Sequence, residues 1–319
     1  MSECRIAVMD DWQRVARDVV EWNALASVGQ VDFLHDYPAD LQAMAQRLAP
    51  YTVLCVMRER TPLQAELLQR LPRLKLIVTG GMRNAAIDLA AAQACGILVC
   101  GGPSYRQAAP ELTWALLMAL SRNLVNEANS LRNGGWQLGL GQDLSGKTLG
   151  LLGLGNIGST VAGYAKAFGM NVIAWSQNLT EARAEAVGAR KVERKVLFEQ
   201  ADILSIHLVL SERTRHLVDS QALAWMKRGA LLVNTSRGPI VEERALLAAL
   251  ESGRLGGAAL DVFDQEPLPL DHPLRHLPNV LATPHLGYVT ENNYRTFYSA
   301  MIEDILAWHG GQPIRTLTP

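Results

Sequence analysis

Short apolar runs alternate with helix-like segments along almost the whole chain. These runs have the length and composition of strands, and they lie at residues 6–9, 31–34, 53–56, 76–78, 97–99, 148–152, 172–175, 203–206, 231–233, 258–260 and 280–282. Strands that are separated by helices pair in parallel, because a parallel connection needs a long crossover that a helix usually supplies. The pattern therefore predicts an α/β protein whose first five strands form a small sheet and whose last six form a larger one.

The composition restricts the kinds of molecule that we expect this protein to bind. The chain has 319 residues, 49% of them hydrophobic, and its 30 basic and 31 acidic residues leave a net charge of −1. Because no net basic field exists to hold phosphates, we expect neither nucleic acid nor a membrane surface as partner. The four cysteines lack the paired short spacings of a metal site, so we expect free thiols and no metal. Acidic residues occupy the N-terminal stretch where a signal peptide needs an apolar run, and we therefore expect a cytoplasmic protein.

Two long segments have helical patterns. Residues 110–132 contain no glycine or proline after Pro110. If they form a helix, apolar side chains lie on nearly every side of it, which predicts one long buried helix. Residues 290–309 carry an apolar face formed by Tyr294, Phe297, Met301, Ile305 and Trp308. The second helix has no strand of its own to cover. We therefore expect it to fold back over the first domain, which would make that domain discontinuous in sequence.

A glycine-rich turn lies between a predicted strand and a predicted helix. It reads Gly153-Leu154-Gly155-Asn156-Ile157-Gly158. In this setting the first glycine allows a tight turn, the second lets the backbone approach a pyrophosphate, and the third lets helix and strand pack closely. The helix N-terminus adds free N–H groups and the positive end of its dipole. Together with six strands and their helices, the turn is typical of a doubly wound dinucleotide-binding unit.

The end of the next strand bears on the choice between NAD and NADP. An acid there usually binds the ribose 2′-hydroxyl of NAD, but this chain has no acid after Trp175 until Glu181. A carboxylate would repel a 2′-phosphate, so its absence removes the main barrier to NADP. The side chains that can bind that phosphate are Ser176, Asn178, Thr180 and Arg183. We therefore expect NADP or NAD, with NADP slightly favoured.

Three chemically different side chains each follow a predicted strand of the second series. They are Arg237, Glu266 and His285. Ligands of open parallel sheets bind beyond the carboxyl ends of the strands, so we expect these side chains at the edge that holds the cofactor. His207 lies at a further strand end, and the sequence leaves open whether it lines the same site.

This set of side chains suits hydride transfer at a carbonyl group that is next to a carboxylate. Arg237 can bind the carboxylate as a bidentate fork and polarise the carbonyl oxygen. His285 can give a proton to that oxygen as the hydride arrives from a nicotinamide, and take it back in the reverse direction. Glu266 can hydrogen-bond the far ring nitrogen of His285, which orients the ring and stabilises its charged form.

These motifs resemble those of a known family. The stretches concerned are Leu144–Gly158, Val233–Gly238, Leu260–Phe263 with Glu266-Pro267, and Thr283-Pro284-His285. In this order they resemble the D-isomer-specific 2-hydroxyacid dehydrogenases, the family of phosphoglycerate dehydrogenase and glyoxylate/hydroxypyruvate reductase. The match covers nearly the whole chain. It implies an enzyme that reduces a small 2-oxo acid to the D-2-hydroxy acid, or catalyses the reverse.

The resemblance also implies how the chain is organised. It divides the chain into a Rossmann cofactor domain at 102–286 and a smaller, flavodoxin-like substrate domain made of 1–101 and 287–319. It implies a homodimer that forms through the cofactor domains. Three further residues would lie at the nicotinamide, namely Thr235, Ser236 and Asp261.

The substrate loops depart from the family pattern. Where the family commonly has a G-x-G-x-D loop, this chain reads Gly80-Gly81-Met82-Arg83-Asn84. By resemblance, Gly81 would bind substrate, and Arg83 would either add a positive contact or point to solvent. Arg58 and Arg60 lie on a second loop that would contact substrate, so one of them would favour an acidic or phosphorylated substrate.

Two other functions are known on similar scaffolds. A formate dehydrogenase needs no proton donor to a carbonyl, and it has a glutamine where this chain has Glu266. A nucleotide-sensing, corepressor-like interaction protein retains the site residues, so the sequence does not separate it completely from an enzyme. This chain shows no long disordered or motif-bearing tail, which favours the enzyme.

Overall fold

The computed structural model describes residues 4–36, 38 and 40–319, and it contains two parallel sheets. The strands are β1 Cys4–Val8, β2 Gly29–Phe33, β3 Val53–Val56, β4 Leu76–Thr79, β5 Leu98–Gly101, β6 Thr148–Leu152, β7 Asn171–Trp175, β8 Arg190–Lys191, β9 Ile203–Ile206, β10 Ala230–Asn234, β11 Leu255–Leu260 and β12 Val280–Ala282. The α/β class predicted from the alternating pattern is confirmed. Only the two-residue strand β8 was not expected.

Helices cover the segments between the strands. They are α1 Ala16–Val19, α2 Leu41–Leu48, α3 Ala65–Leu68, α4 Leu89–Ala94, α5 Ala108–Ser121, α6 Leu124–Arg132, α7 Asn156–Ala167, α8 Glu181–Glu185, α9 Arg194–Gln200, α10 Ser220–Trp225, α11 Glu243–Glu251 and α12 Glu291–His309. Short 3-10 turns lie at Trp22–Leu25, Arg58–Arg60, Gly238–Ile240 and Pro273–Arg275. The chain separates into two compact units, Met1–Tyr105 with Val289–Pro319 (unit 1) and Arg106–Tyr288 (unit 2).

Unit 1 is built on the five-stranded sheet, whose order is β2-β1-β3-β4-β5. This is the flavodoxin-like order, which reverses direction between β1 and β3. Helix α12 packs on this sheet, as expected for an amphipathic helix without strands of its own. Gly80 and Gly102 allow the close approach, because a Cβ on Gly80 would lie 2.9 Å from the Phe297 ring and one on Gly102 would lie 2.8 Å from the Ala300 Cβ.

Unit 2 is built on the seven-stranded sheet, whose order is β12-β11-β10-β9-β6-β7-β8. Every pairing is parallel, and β6 lies between β7 and β9, where the order of connection reverses. This is the order of a Rossmann unit, and ligands of such units bind beyond the carboxyl ends of the strands at the reversal point. The carboxyl ends of β6, β9, β10, β11 and β12 therefore define the candidate site.

One expectation about the helices was wrong. The single long buried helix predicted at 110–132 is two helices, because the chain turns at Asn123, which has a left-handed φ of 52°. α5 buries several of its side chains, whereas no residue of α6 is buried. The Asn126 amide donates to the Asn123 side chain at 2.7 Å and to the Pro278 carbonyl at 3.0 Å. These contacts position α6 on the surface of unit 2.

Within the described ranges, no helix combines the length with the apolar content that crossing a bilayer requires.

Candidate active site

The glycine-rich turn joins β6 to α7. Gly153 has a φ of 107°, and a Cβ there would lie 2.6 Å from the His207 carbonyl oxygen. A Cβ on Gly158 would collide with the Gly153 carbonyl oxygen, so the helix packs directly against the turn. The Gly153 N–H donates to the Trp175 carbonyl at 2.8 Å and ties the turn to β7. The shape of the turn therefore depends on glycine at positions 153 and 158.

Gly155 differs from both of these glycines. Nothing lies within 4 Å of the position that a Cβ would take, so this side of the turn is open. The first intrahelical hydrogen bond of α7 runs from Ser159 to Gly155, and none of the described side chains caps the helix. The N–H groups of Asn156, Ile157 and Gly158 precede that bond and can donate to a ligand, assisted by the helix dipole. This open cradle of backbone donors fits the pyrophosphate of a dinucleotide.

Replacing Gly155 with valine is expected to weaken dinucleotide binding without unfolding the protein. The new side chain meets open space in the protein itself, and it blocks the approach of a pyrophosphate to the backbone. We expect the Kd for NADPH to rise about ten-fold or more, which is about 1.4 kcal/mol of binding free energy. Nucleotide fluorescence titration measures the Kd, and thermal unfolding checks the fold.

The matched control is Gly163→Val, on the same helix and also facing open space. It should leave the Kd unchanged. An unaltered Kd in a folded Gly155→Val protein would remove the turn from the binding site.

The segment after β7 carries exposed polar groups and no acid. Ser176 is half-buried, Asn178 is exposed, and the Thr180 hydroxyl accepts the Arg183 N–H at 3.3 Å as the cap of α8. The first acid, Glu181, is directed to Lys191, with 3.7 Å between the ammonium nitrogen and the carboxylate. No carboxylate is therefore committed to a ribose at this strand end.

Glu266 and His285 are in direct contact. The Nδ1 atom of His285 lies 2.6 Å from a Glu266 carboxylate oxygen, and the other oxygen accepts the Phe263 N–H at 2.9 Å. Burial alone would raise the pKa of Glu266, but the bonds from His285 and Phe263 and the charge of Arg237 hold that pKa below its usual value. An ionised carboxylate can only accept, so Nδ1 donates to it. The opposite ring nitrogen, Nε2, lies on the side of the imidazole away from this hydrogen bond.

Arg237 lies on the loop that follows β10. Its guanidinium donates to the Ser236 carbonyl at 2.8 Å, and its charge contributes to the lowered pKa of Glu266. A Cβ on Gly238 would collide with the Phe263 backbone, so the loops that carry Arg237 and Glu266 are packed together. This glycine is the local reason that residues from two different strands share one site.

Asp261 holds the loop that carries His285. One carboxylate oxygen accepts the Thr283 hydroxyl at 2.6 Å and the Leu286 N–H at 2.7 Å, and the other accepts the Gly287 N–H at 2.8 Å. Burial raises the pKa of Asp261 despite these bonds. The carboxylate thus supports the His285 loop. The nicotinamide contact that the resemblance implied for Asp261 stays a prediction.

The two remaining residues expected at the nicotinamide lie on the Arg237 loop. The Thr235 hydroxyl is 2.6 Å from that of Thr113 on α5. The Ser236 N–H donates to the Asn234 side chain at 3.0 Å, and the Ser236 hydroxyl donates to the Leu208 carbonyl. These bonds fix the shape of the loop that carries Arg237.

His207 is packed beneath the glycine-rich turn. Its ring lies 2.9 Å from the Ser205 hydroxyl, and burial lowers its pKa to about 4. The ring is therefore neutral at physiological pH. In the described part of the chain, no group of three or more histidine, cysteine or acidic residues is placed to bind a metal ion.

In unit 1, the two arginines after β3 have different surroundings. Arg58 has a left-handed φ of 56°, and its guanidinium donates to the Gly80 carbonyl at 3.2 Å and lies against Gly81. Arg60 donates to the Asp10 carbonyl at 2.5 Å and to the Tyr294 hydroxyl at 2.8 Å. Both guanidiniums are therefore bound within unit 1, Arg58 beside Gly81 and 3.4 Å from a Glu59 carboxylate oxygen, and Arg60 between Asp10 and Tyr294.

Arg83 lies on the exposed loop after β4. The neighbouring Asn84 donates to the Arg58 carbonyl at 2.6 Å and to the Thr79 hydroxyl at 2.9 Å. Asn84 therefore ties together the two loops that were expected to contact substrate, a role that the sequence did not indicate.

Tyr288 was also not anticipated from sequence. Its ring packs against the imidazole of His285, with 5.4 Å between the ring centroids and an interplanar angle of 72°. The only signal for it was an aromatic residue three positions after the histidine.

A family model agrees with this geometry. The model of the NAD binding domain of D-isomer specific 2-hydroxyacid dehydrogenases matches residues 114–287, which is more than half of the chain. The chain belongs to this family. The resemblance inferred from the motifs is therefore confirmed, and the protein is a member of a family of NAD-binding oxidoreductases.

Individual members of the D-2-hydroxyacid dehydrogenases are similar over most of the chain. The glyoxylate reductase of Korarchaeum cryptofilum is 35% identical, over 79% of this chain and 78% of that protein. The D-3-phosphoglycerate dehydrogenase of a Synechocystis species is 35% identical over 98% of this chain, which spans 55% of that protein. The chain thus covers about half the length of such phosphoglycerate dehydrogenases. The crystal structure of a phosphoglycerate oxidoreductase from Vibrio cholerae O395 superposes with a TM-score of 0.93 at 38% identity, covering 97% of this chain and 99% of that one.

Proposed function

We propose that this protein is an NAD(P)-dependent oxidoreductase that reduces a small 2-oxo acid to the D-2-hydroxy acid and catalyses the reverse reaction. The observation that carries the proposal is the 2.6 Å contact between His285 and Glu266, in the unit that also holds the glycine-rich turn. Membership of the family supports the same reaction class.

In the direction of reduction, Arg237 binds the substrate carboxylate and polarises the neighbouring carbonyl oxygen. His285 gives the Nε2 proton to that oxygen, which becomes the product hydroxyl. A bound nicotinamide supplies the hydride that the carbonyl carbon receives. In the oxidation direction, Nε2 accepts the hydroxyl proton.

Glu266 acts on the other side of the imidazole ring. Its hydrogen bond to Nδ1 fixes the tautomer and the orientation of the ring. Its lowered pKa keeps it ionised at neutral pH, so it also stabilises the positive charge of the imidazolium. A proton taken by His285 is therefore balanced by a fixed negative charge.

A turnover assay tests the proposed function. Nicotinamide absorbance is followed with NADH and NADPH in parallel across glyoxylate, hydroxypyruvate, pyruvate and bulkier 2-oxo acids. Oxidation of the cofactor that depends on a 2-oxo acid, with the D-enantiomer as product, is the expected result. A cofactor-bound protein that turns over none of these acids would contradict the proposal and favour a nucleotide-sensing role.

We propose that the cofactor is NADP or NAD, with NADP slightly preferred. The polar, acid-free segment after β7 supports this preference. Ser176→Asp is expected to raise the KM for NADPH about ten-fold or more, because the new carboxylate repels the 2′-phosphate, while the KM for NADH stays the same or falls. Steady-state kinetics with both cofactors measures the change.

The matched control for the cofactor is Ser176→Asn, which is polar but uncharged. In this variant, the ratio of kcat/KM with NADPH to kcat/KM with NADH should stay within about two-fold of the original. A strong original preference for NADH would overturn the proposed preference without affecting the reaction class.

We propose that unit 1 contributes to substrate recognition through Arg58 and Gly81. The guanidinium of Arg58 donates a hydrogen bond to the Gly80 carbonyl, which holds it beside Gly81. This placement supports Arg58 as a contact for an acidic or phosphorylated group of the substrate. Arg60, whose guanidinium donates to the Asp10 carbonyl and the Tyr294 hydroxyl, is the second candidate on this loop. Arg83, on an exposed loop, remains a candidate for a second positive contact.

We propose that the protein forms a homodimer through unit 2. The surface of α6 and the segment after it supports this, because it exposes Leu124, Val125, Leu131, Trp136, Leu138 and Leu140. Exposed apolar patches of this kind mark protein–protein contacts. The partner is a second copy of the chain, and sedimentation equilibrium tests the expected doubling of the 34.9 kDa mass.

We propose a cytoplasmic location for the protein. All four cysteines are free, as is usual in a reducing compartment. Cell fractionation tests this.

A further inference from the structure

The hydrogen bond to Glu266 engages one atom of the His285 ring. The bond at 2.6 Å fixes Nδ1 against Glu266. The reacting nitrogen, Nε2, lies on the far side of the ring, and a single bond to one ring atom leaves the ring able to swing about that contact. A second restraint on the ring plane is therefore needed to keep Nε2 in one direction.

The backbone does not supply that restraint. His285 has a left-handed φ of 53°, a conformation that residues other than glycine adopt at a cost. Asp261 stabilises it by accepting from Thr283, Leu286 and Gly287 on both sides of the histidine. These bonds fix the Cα position, but they do not act on the side-chain torsions.

The ring of Tyr288 is the group that meets the imidazole. The ring centroids lie 5.4 Å apart at 72°, which is the edge-to-face arrangement that aromatic pairs prefer. The anchoring of Leu286 and Gly287 to Asp261 carries the chain from the histidine to Tyr288 in a fixed turn. Tyr288 thus contacts the imidazole by ring packing, whereas Glu266 holds its Nδ1 atom by a hydrogen bond.

We propose that Tyr288 is a positioning residue, which packs against the imidazole and keeps Nε2 of His285 aligned for proton transfer. The inference rests on the proposed function. The ring of Tyr288 acts, and its hydroxyl is dispensable. A small misplacement of a reacting group lowers rates strongly, so loss of the ring contact should lower kcat more than it affects binding.

Two substitutions separate the ring from the hydroxyl. Tyr288→Phe keeps the ring and should retain kcat within about two-fold of the original. Tyr288→Leu removes the ring and should lower kcat about ten-fold, with the Kd for NADPH unchanged. Its solvent deuterium isotope effect on kcat should rise, because proton transfer becomes slower. Tyr164→Leu is the matched control, since Tyr164 packs against Trp114 and should leave kcat unchanged.

Two kinetic outcomes would overturn the inference. The first is an unchanged kcat in Tyr288→Leu. The second is an equal loss in Tyr288→Phe and Tyr288→Leu, which would assign the effect to the hydroxyl. If the original protein turns over no 2-oxo acid, the proposed function fails. A separate measurement then tests whether the rings of Tyr288 and His285 are in contact.

That measurement is the NMR signal of the His285 Cε1–H group, assigned by its loss in His285→Asn. The nearby ring of Tyr288 shifts this signal, so Tyr288→Leu should move it and Tyr288→Phe should not. A signal that stays in place in Tyr288→Leu would show that the two rings are not in contact in solution, and the inference would be wrong.

Discussion

We expect the replacement of His285 with asparagine to lower kcat about 10³-fold. The Kd for NADPH should stay within two-fold of the original. Asparagine can still accept or donate a hydrogen bond, but it cannot deliver a proton at neutral pH. General acid–base catalysis by a positioned side chain typically contributes 10²- to 10⁴-fold, so the loss falls in that range. The Kd changes little because the phosphate cradle is formed by the backbone of a different loop.

Stopped-flow absorbance measures the rate of NADPH oxidation in this variant, and fluorescence titration measures its Kd. His276→Asn is the control, because it makes the same substitution at an exposed histidine outside the site. A variant at His285 that kept its kcat would show that another group donates the proton. Such a result would leave the fold intact and remove the central step of the proposed reaction.

Arg237→Ala is expected to lower kcat/KM about 10³-fold, through a higher KM and a lower kcat together. One guanidinium binds the substrate carboxylate in the ground state and polarises the carbonyl in the transition state, so both parameters depend on it. Two charge-assisted hydrogen bonds to the carboxylate account for a loss of this size. Steady-state kinetics over a wide range of 2-oxo acid concentrations measures both parameters.

Two further variants sharpen this test. Arg237→Lys keeps the charge but loses the planar fork, and it should recover only part of the activity. Added guanidinium ion should partly restore Arg237→Ala, because it can occupy the place of the missing group. Arg244→Ala, at an exposed position on α11, is the control. Kinetics of Arg237→Ala equal to those of the control would exclude Arg237 from the site.

Much of the fold was predictable because its signals are local. A parallel strand between two layers of helices is apolar over four or five consecutive residues, and strands such as β3 and β10 show this pattern in the sequence. β8 was missed for the same reason, since two residues, Arg190 and Lys191, carry no such pattern. The break at Asn123 was missed because no glycine or proline marks it. Beside the break, the Asn126 amide contacts the Pro278 carbonyl, which lies 152 residues away in the chain.

Part of the candidate site was also predictable from the sequence, and part was not. The edge of the sheet at which Arg237, Glu266 and His285 lie follows from their positions after successive strands. The role of Asp261 in anchoring the His285 loop could not be predicted from sequence. A carboxylate that follows a strand gives no indication of which N–H groups will donate to it. Arg58 and Arg60 are two residues apart and chemically identical, and only their neighbours in unit 1 distinguish them.

Residue patterns alone were enough to predict the α/β class, the dinucleotide turn, the family and the three residues on which the proposed chemistry depends. Each of these rests on the spacing of residues along the chain, which reports strands, turns and strand ends directly. The tertiary structure alone decided where the long apolar segment breaks, which arginine lies against Gly81, and that Tyr288 meets His285. These are contacts among side chains and loops, and their geometry exists only after packing brings together groups whose positions no local pattern specifies.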